Sequence, residues 1–319
     1  MPRPAFPTSI LDFQNRFATE TACYEFLRQS RWPDGFECPA CKSPTAYDRA
    51  DRWGVECSKC GRCTSVTAGT VMHRTHMPIR IWMWAAWLMV TSKRGVSALE
   101  LQRQLGLKTY QTAFQMLHKL RAAMVAPERS KLKGTIEVDE SYIGGPEEGT
   151  PGRGALTKVL IVGAIECRES KPTRLRLRVI EKADATELRR FIHDVTEPGS
   201  TIQTDGNPAY GDLRDRKHVI FIAGKDGLKQ DDVLPCYHTA IGNLKALLLG
   251  THHGAMREKH LQAYLNEFAF RFNRRGNLQA AFQTLLGLAS KVEGPTYRGL
   301  YDGKFEHPGR GRRQRRLPL

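Results

Sequence analysis

Two cysteine pairs and two strand-end aspartates carry the chemistry legible in this chain. Cys38-x2-Cys41 and Cys57-x2-Cys60 are two knuckles with fifteen residues between them. Each offers two thiolates, and four thiolates close a tetrahedral site around Zn²⁺ at ~2.3 Å per sulfur. Protein then fills all four positions, which leaves none for water or substrate and makes the ion structural. Cys63 extends the run into a third knuckle with Cys60 and is an alternative ligand. The isolated Cys23, Cys167 and Cys236 read as small core residues.

The aspartates suggest a different metal. Asp139 follows the apolar TIEV and Asp205 follows STIQT. Carboxylates at the ends of adjacent strands make a hard-oxygen site for Mg²⁺ or Mn²⁺. Such a site activates water, and then a 3′-hydroxyl, for in-line attack on a phosphodiester. The two residues meet only if their strands lie side by side, and strand-end aspartates are also ordinary turn residues.

The elements that must position these groups fall into distinct sections. A short helical pattern over 8–35 precedes the cysteine cluster, and a Trp-rich apolar helix over 79–91 follows it. From Ser97 the pattern is helix, Gly-centred turn, helix. Leu99, Leu101 and Leu105 give the first helix an apolar face, and Phe114, Leu117, Leu120 and Met124 do so for the second. The second helix carries Tyr110, Gln111, Gln115, His118, Lys119 and Arg121 on its other face. Amides and bases there suit base edges and phosphates, so Gln111, Gln115, Lys119 and Arg121 are candidate DNA contacts of a helix-turn-helix. An ordinary helical hairpin with a solvated face has the same periodicity.

From Gly134 the chain turns β-rich, at 135–143, 158–167 and 174–181. A helix over 185–195, capped by Asp184, comes next. Strands at 201–204 and 218–223 precede helices over 237–290. This alternation points to a mixed α/β sheet rather than a sandwich. The Gly/Pro-rich stretch 144–154 reads as an open loop.

Charge narrows the partners. The chain carries 49 basic and 33 acidic residues, a net +16. Residues 1–133 hold 20 basic and 10 acidic side chains, whereas 134–309 hold 24 and 23, and the last ten residues add five arginines. Basic ends around a near-neutral body suit a polyanion, because neutralised phosphates release counterions. The longest apolar run, 81–90, is too short for the ~20 residues that cross a bilayer. The opening MPRPAFPTSI has no apolar signal core, which points to a reducing cytosol and to thiols that bind metal.

The order of the motifs resembles the transposases of bacterial insertion sequences, in the insertion sequence 1595 family of the DDE superfamily. Residues about 10–285 carry the resemblance: CPAC…CSKC, SVTAGTVMHRT, VDESYIGG, RGALTKVLIVGAIE, TDGNPAY, HTAIGNLKALLLGTHHG and KHLQAYLNEFAFRFNRR. It implies an RNase H-like catalytic domain in which Asp139 and Asp205 match the first two catalytic carboxylates. Lys245 matches the basic residue seven positions after the third. His238 stands at that third position, where the superfamily usually has Glu. Glu267 is a rival carboxylate, though an ion pair with Arg271 at i+4 also accounts for it.

The resulting expectation has four parts: helix and zinc ribbon over 8–75, helix-turn-helix over 76–130, an RNase H-like transposase domain over 134–290, and a disordered basic tail over 291–319. Such a transposase would bind the terminal inverted repeats of its element and cleave and join DNA strands with Mg²⁺ or Mn²⁺. It would hold two ends together as a homodimer or larger assembly in the cytosol, away from membranes. A catalytically decayed transposase, or a DNA-binding regulator that keeps the ribbon and helices, is the alternative.

Overall fold

The computed structural model describes residues 6–126, 128–144, 158–222, 224, 233–252 and 257–310. The expected loop at 144–154 lies outside them apart from Gly144, as does 311–319 of the tail. Contacts divide the chain into two units, 1–126 with 274–305, and 127–273 with 306–319.

The first unit begins with α1 (Ile10–Arg16) and α2 (Glu20–Arg31). Their N-caps, Ser9 and Thr19, each accept a backbone N–H of the first turn. The strands β1 (Ala46–Arg49), β2 (Gly54–Cys57) and β3 (Cys63–Ser65) then form an antiparallel sheet in that order. The Trp-rich helix is α3 (Ile79–Thr91). Pro78 at its start gives no side-chain cap, and the Glu20 carboxylate takes over by accepting the N–H groups of Ile79 and Arg80.

The helices α4 (Ala98–Leu105) and α5 (Tyr110–Ala123) form the expected pair, with Gly106 between them at φ 61°. That left-handed backbone favours glycine. The expected polar face of α5 is only partly present. Gln111 is exposed and Gln115 half-buried, but His118 is 0% and Arg121 1% exposed. Half-buried Lys119 donates to the His73 carbonyl at 3.3 Å. Arg121 is therefore an interior side chain rather than a DNA contact. Three helices pack around α5, namely α3, α4 and α9 (Leu278–Ala289), so its buried arc is wider than one apolar stripe.

Helix α9 packs on α2 and α3. Phe282 lies 5.6 Å from Phe13, 5.8 Å from Phe17 and 5.6 Å from Trp87, centroid to centroid. The segment 274–290, expected within the catalytic domain, thus falls with the N-terminal unit. Residues 291–310, expected to be disordered, include α10 (Tyr297–Tyr301) with Leu300 3% exposed.

The second unit is a mixed five-stranded sheet with helices on both faces. Its strands are β4 (Thr135–Ile143), β5 (Val159–Arg168), β6 (Lys171–Val179), β7 (Thr201–Thr204) and β8 (Lys217–Ile220), in the order β6-β5-β4-β7-β8. The β4–β5 and β5–β6 pairs are antiparallel, while β4–β7 and β7–β8 are parallel. This arrangement is consistent with an RNase H-like domain. Helix α6 (Ala185–Val195) starts at Asp184, whose carboxylate accepts two N–H groups. It covers one face, over Ile136, Val138, Val162 and Ile202. Helices α7 (Pro235–His252) and α8 (Glu258–Phe272) cover the other, over Ile161, Ile165 and Leu177. Residues 306–310 also pack here: Asn266 Nδ2 donates to the Pro308 carbonyl at 2.8 Å, and Arg310 pairs with Glu258 at 2.8 Å.

Candidate carboxylate site and zinc ribbon

Alternation along β4 divides its polar residues between the two faces. Glu137, Asp139 and Ser141 share the α7 side, and Glu140 lies on the other. Asp139 was expected to end its strand but sits at its centre, because pairing with β5 continues to Ile143. Asp205 directly follows β7, the parallel neighbour of β4. One ligand oxygen each from Asp139, Glu140 and Asp205 lie within 4.8 Å of one another. A set of three carboxylates fits a hard divalent cation.

The TDGNPAY turn organises this group. The Asn207 main-chain N–H donates to Asp205 Oδ1 at 3.0 Å, and its Nδ2 donates to Glu140 Oε1 at 2.7 Å. The buried Tyr210 hydroxyl donates to the other oxygen of Glu140. The Glu140 N–H in turn donates to Asp139 Oδ1 at 2.7 Å. Burial pushes the Asp139 carboxyl up to about 7, and the charges of Glu140 and Asp205 add to the rise. The Glu140 N–H and the Lys245 ammonium pull it down.

Tyr237 seats α7 across Asp139. Its N–H donates to Glu137 Oε2 at 2.8 Å, and its hydroxyl bonds the Ser141 hydroxyl at 3.2 Å. These partners flank Asp139 on the same face of β4. The Tyr237 ring lies over Gly163, the residue paired with Asp139, where an added Cβ would stand 2.8 Å from Cε2 of the ring. Buried Glu137 also lies beside the Cys167 and Cys236 thiols, and burial pushes its own carboxyl and both thiols up. Cys236 and Cys23 are buried and Cys167 is half-buried, and burial likewise pushes the Cys23 thiol up.

His238 and Lys245 share α7, seven residues and ~10.5 Å of rise apart. Lys245 is felt at Asp139, whereas His238 is exposed and stands outside the three-carboxylate group. Glu267 is 3% exposed, with Oε1 3.7 Å from Nη1 of Arg271. Glu140, Asn207, Tyr210 and Tyr237 escaped the sequence reading, although VDES places an acid directly after Asp139 and NPAY follows the second aspartate.

In the first unit, Cys38, Cys41, Cys57 and Cys60 bring their sulfurs within 4.8 Å of one another. Cys38–Cys60 and Cys41–Cys57 are separated by 3.6 and 3.5 Å. These are close to the ~3.8 Å edge of a tetrahedron with ~2.3 Å Zn–S bonds, so the donor set fits zinc. The backbone N–H groups of Cys60 and Lys59 hold the Cys57 thiol down to about 6, and that of Cys41 lowers Cys38. A lowered thiol favours the thiolate that a metal requires, whereas burial and bonds to the other three thiols push Cys41 up to about 12. Cys63 lies exposed in β3, outside the four-thiol group.

Fold and site together define a two-part protein, a four-thiol ribbon followed by a mixed α/β domain with clustered carboxylates. Residues 131–273 match the ISXO2-like transposase domain, and residues 18–63 match the transposase zinc-ribbon domain. The chain belongs to the insertion sequence 1595 family of transposases. It is also 25% identical over 303 residues to an uncharacterised protein in transposable element ISH50 of Halobacterium salinarum, covering 86% of this chain and 98% of that protein. Among the described residues, no helix is long and apolar enough to cross a membrane.

Proposed function

We propose that this transposase binds the terminal inverted repeats of its insertion sequence and catalyses cleavage and joining of DNA strands at Asp139 and Asp205. The observation that carries the reading is the meeting of these two carboxylates, from adjacent parallel strands, inside a transposase domain. Bound Mg²⁺ or Mn²⁺ would acidify a nucleophilic water or hydroxyl and offset charge at the phosphodiester. Asp139 and Asp205 would hold the cation through oxygen. Lys245 would balance the acidic group and contact the DNA backbone, and His238 would occupy the third position of the family pattern.

The basic first unit supplies the DNA affinity. Its α5 offers Gln111 and Gln115 beside exposed Tyr110. Strand joining brings two element ends together, so the working form is a homodimer or larger assembly on double-stranded DNA in the cytosol.

A second reading, a decayed transposase that binds without cutting, draws on the exposed His238 outside the carboxylate group. A strand-transfer assay with pre-cleaved element ends separates the two. The full-length protein joins ends in Mg²⁺ or Mn²⁺, and Asp139→Asn and Asp205→Asn each abolish joining while repeat binding persists. Repeat binding without joining in the unaltered protein would favour decay.

A further inference from the structure

Histidine at position 238 leaves the family pattern one negative charge short, yet the structure holds a third carboxylate beside the first two. Resting on the proposed reading of Asp139 and Asp205 as divalent-ion ligands, we infer that Glu140 supplies the third carboxylate of that site.

Three observations support it. An oxygen of Glu140 lies within 4.8 Å of ligand oxygens on both aspartates. Oxygens that share a cation with ~2.1 Å bonds stand ~3–4 Å apart, so only small side-chain movements close the set. Both Glu140 oxygens also accept hydrogen bonds, from Asn207 Nδ2 at 2.7 Å and from the Tyr210 hydroxyl. Donors of this kind fix the direction of the carboxylate, as the partners of metal-binding carboxylates do elsewhere. Finally, Asn207 holds Asp205 and Glu140 together, through its main-chain N–H on one and its side chain on the other. The turn that delivers the second aspartate therefore also orients the third acid.

The test is Mn²⁺ binding to the zinc-loaded full chain without DNA, followed by titration calorimetry. Glu140→Gln keeps an oxygen to accept from Asn207 or Tyr210 and removes the charge. It is expected to weaken Mn²⁺ binding at least ~10-fold. Unchanged affinity in Glu140→Gln, beside a loss in Asp139→Asn and Asp205→Asn, overturns the role of Glu140 and leaves the two-aspartate site standing. A wild-type chain whose only Mn²⁺ uptake is insensitive to both aspartate changes overturns the site itself. If Glu140→Gln does not fold, infrared difference spectra of the unaltered protein decide. Carboxylate bands that respond to Mg²⁺ should shift in part when glutamate alone is ¹³C-labelled, and no shift overturns the inference.

Discussion

Asp139 and Asp205 stand in parallel register. The paired residues Thr135 and Thr201, Ile136 and Ile202, and Glu137 and Gln203 each differ by 66 positions, as do the two aspartates. Named pairing stops at Gln203, and the aspartates lie two steps further along the same alignment. Their meeting is thus set by how β4 and β7 align, and a one-residue slip would send one of them to the opposite face.

The elevated Asp139 carboxyl makes the metal-free protein sensitive to pH. Its value in the fold is about 7, against an ordinary 3.8. A carboxyl raised by folding holds its proton more tightly in the native state. Its contribution therefore favours the fold at low pH and is lost as pH rises from about 4 through about 7. Between about pH 5 and about pH 8, metal-free wild type should lose on the order of 2 kcal/mol relative to Asp139→Asn. Denaturant melts at both pH values measure this. Equal pH dependence in the two proteins contradicts it.

Zinc should be present at one tightly bound ion per chain. Binding free energy in such modules is folding free energy, with apparent values of ~10–16 kcal/mol for zinc-finger peptides. Cys38→Ser or Cys57→Ser should release the ion, unfold the ribbon and weaken repeat binding, whereas exposed Cys63→Ser should do none of these. Metal analysis and DNA titration on the same preparations report both effects.

The choice between His238 and Glu267 can be made by metal preference. Imidazole nitrogen suits Mn²⁺ better than Mg²⁺, so joining should run faster in Mn²⁺, and His238→Glu should shift the preference toward Mg²⁺. Glu267→Gln should leave that preference alone. Breaking its buried pair with Arg271 should instead cost ~3 kcal/mol of stability. A folded but inactive Glu267→Gln, beside an active His238→Ala, reverses the assignment.

Gly163→Ala probes the seat of α7. The new Cβ would stand 2.8 Å from Tyr237 Cε2 and 2.9 Å from Leu177 Cδ2. Overpacking of this kind costs ~1–3 kcal/mol, and displacement of Tyr237 moves the helix that carries Lys245. Strand joining should fall more than stability alone explains. Tyr237→Phe, which loses only the bond to Ser141, should be the milder change.

Much of this architecture is legible in the residues themselves. The Asp184 cap and the apolar spacing after it mark α6, which spans Ala185–Val195 as expected. Knuckle spacing likewise identifies the four thiols. Legibility fails where tertiary contacts decide. Periodicity places Arg121 on a polar stripe of α5, yet three packed helices enclose it. Glu140 goes unmarked in the sequence, and only the TDGNPAY turn folding back onto it singles it out. Nothing local in the 278–289 helix shows which unit its Phe282 will join.

That last feature sets an order of assembly during synthesis. The aromatic cluster of Phe13, Phe17 and Trp87 lacks Phe282 until the ribosome has translated past α9. By then every residue of the second unit up to Asn273 has been made. A nascent chain, or one cut short by a premature stop, therefore has a gap in the core of its ribbon-bearing half. Only a chain translated past that helix has a complete aromatic core there. Where translation accompanies transcription, that chain is released close to the gene that encodes it.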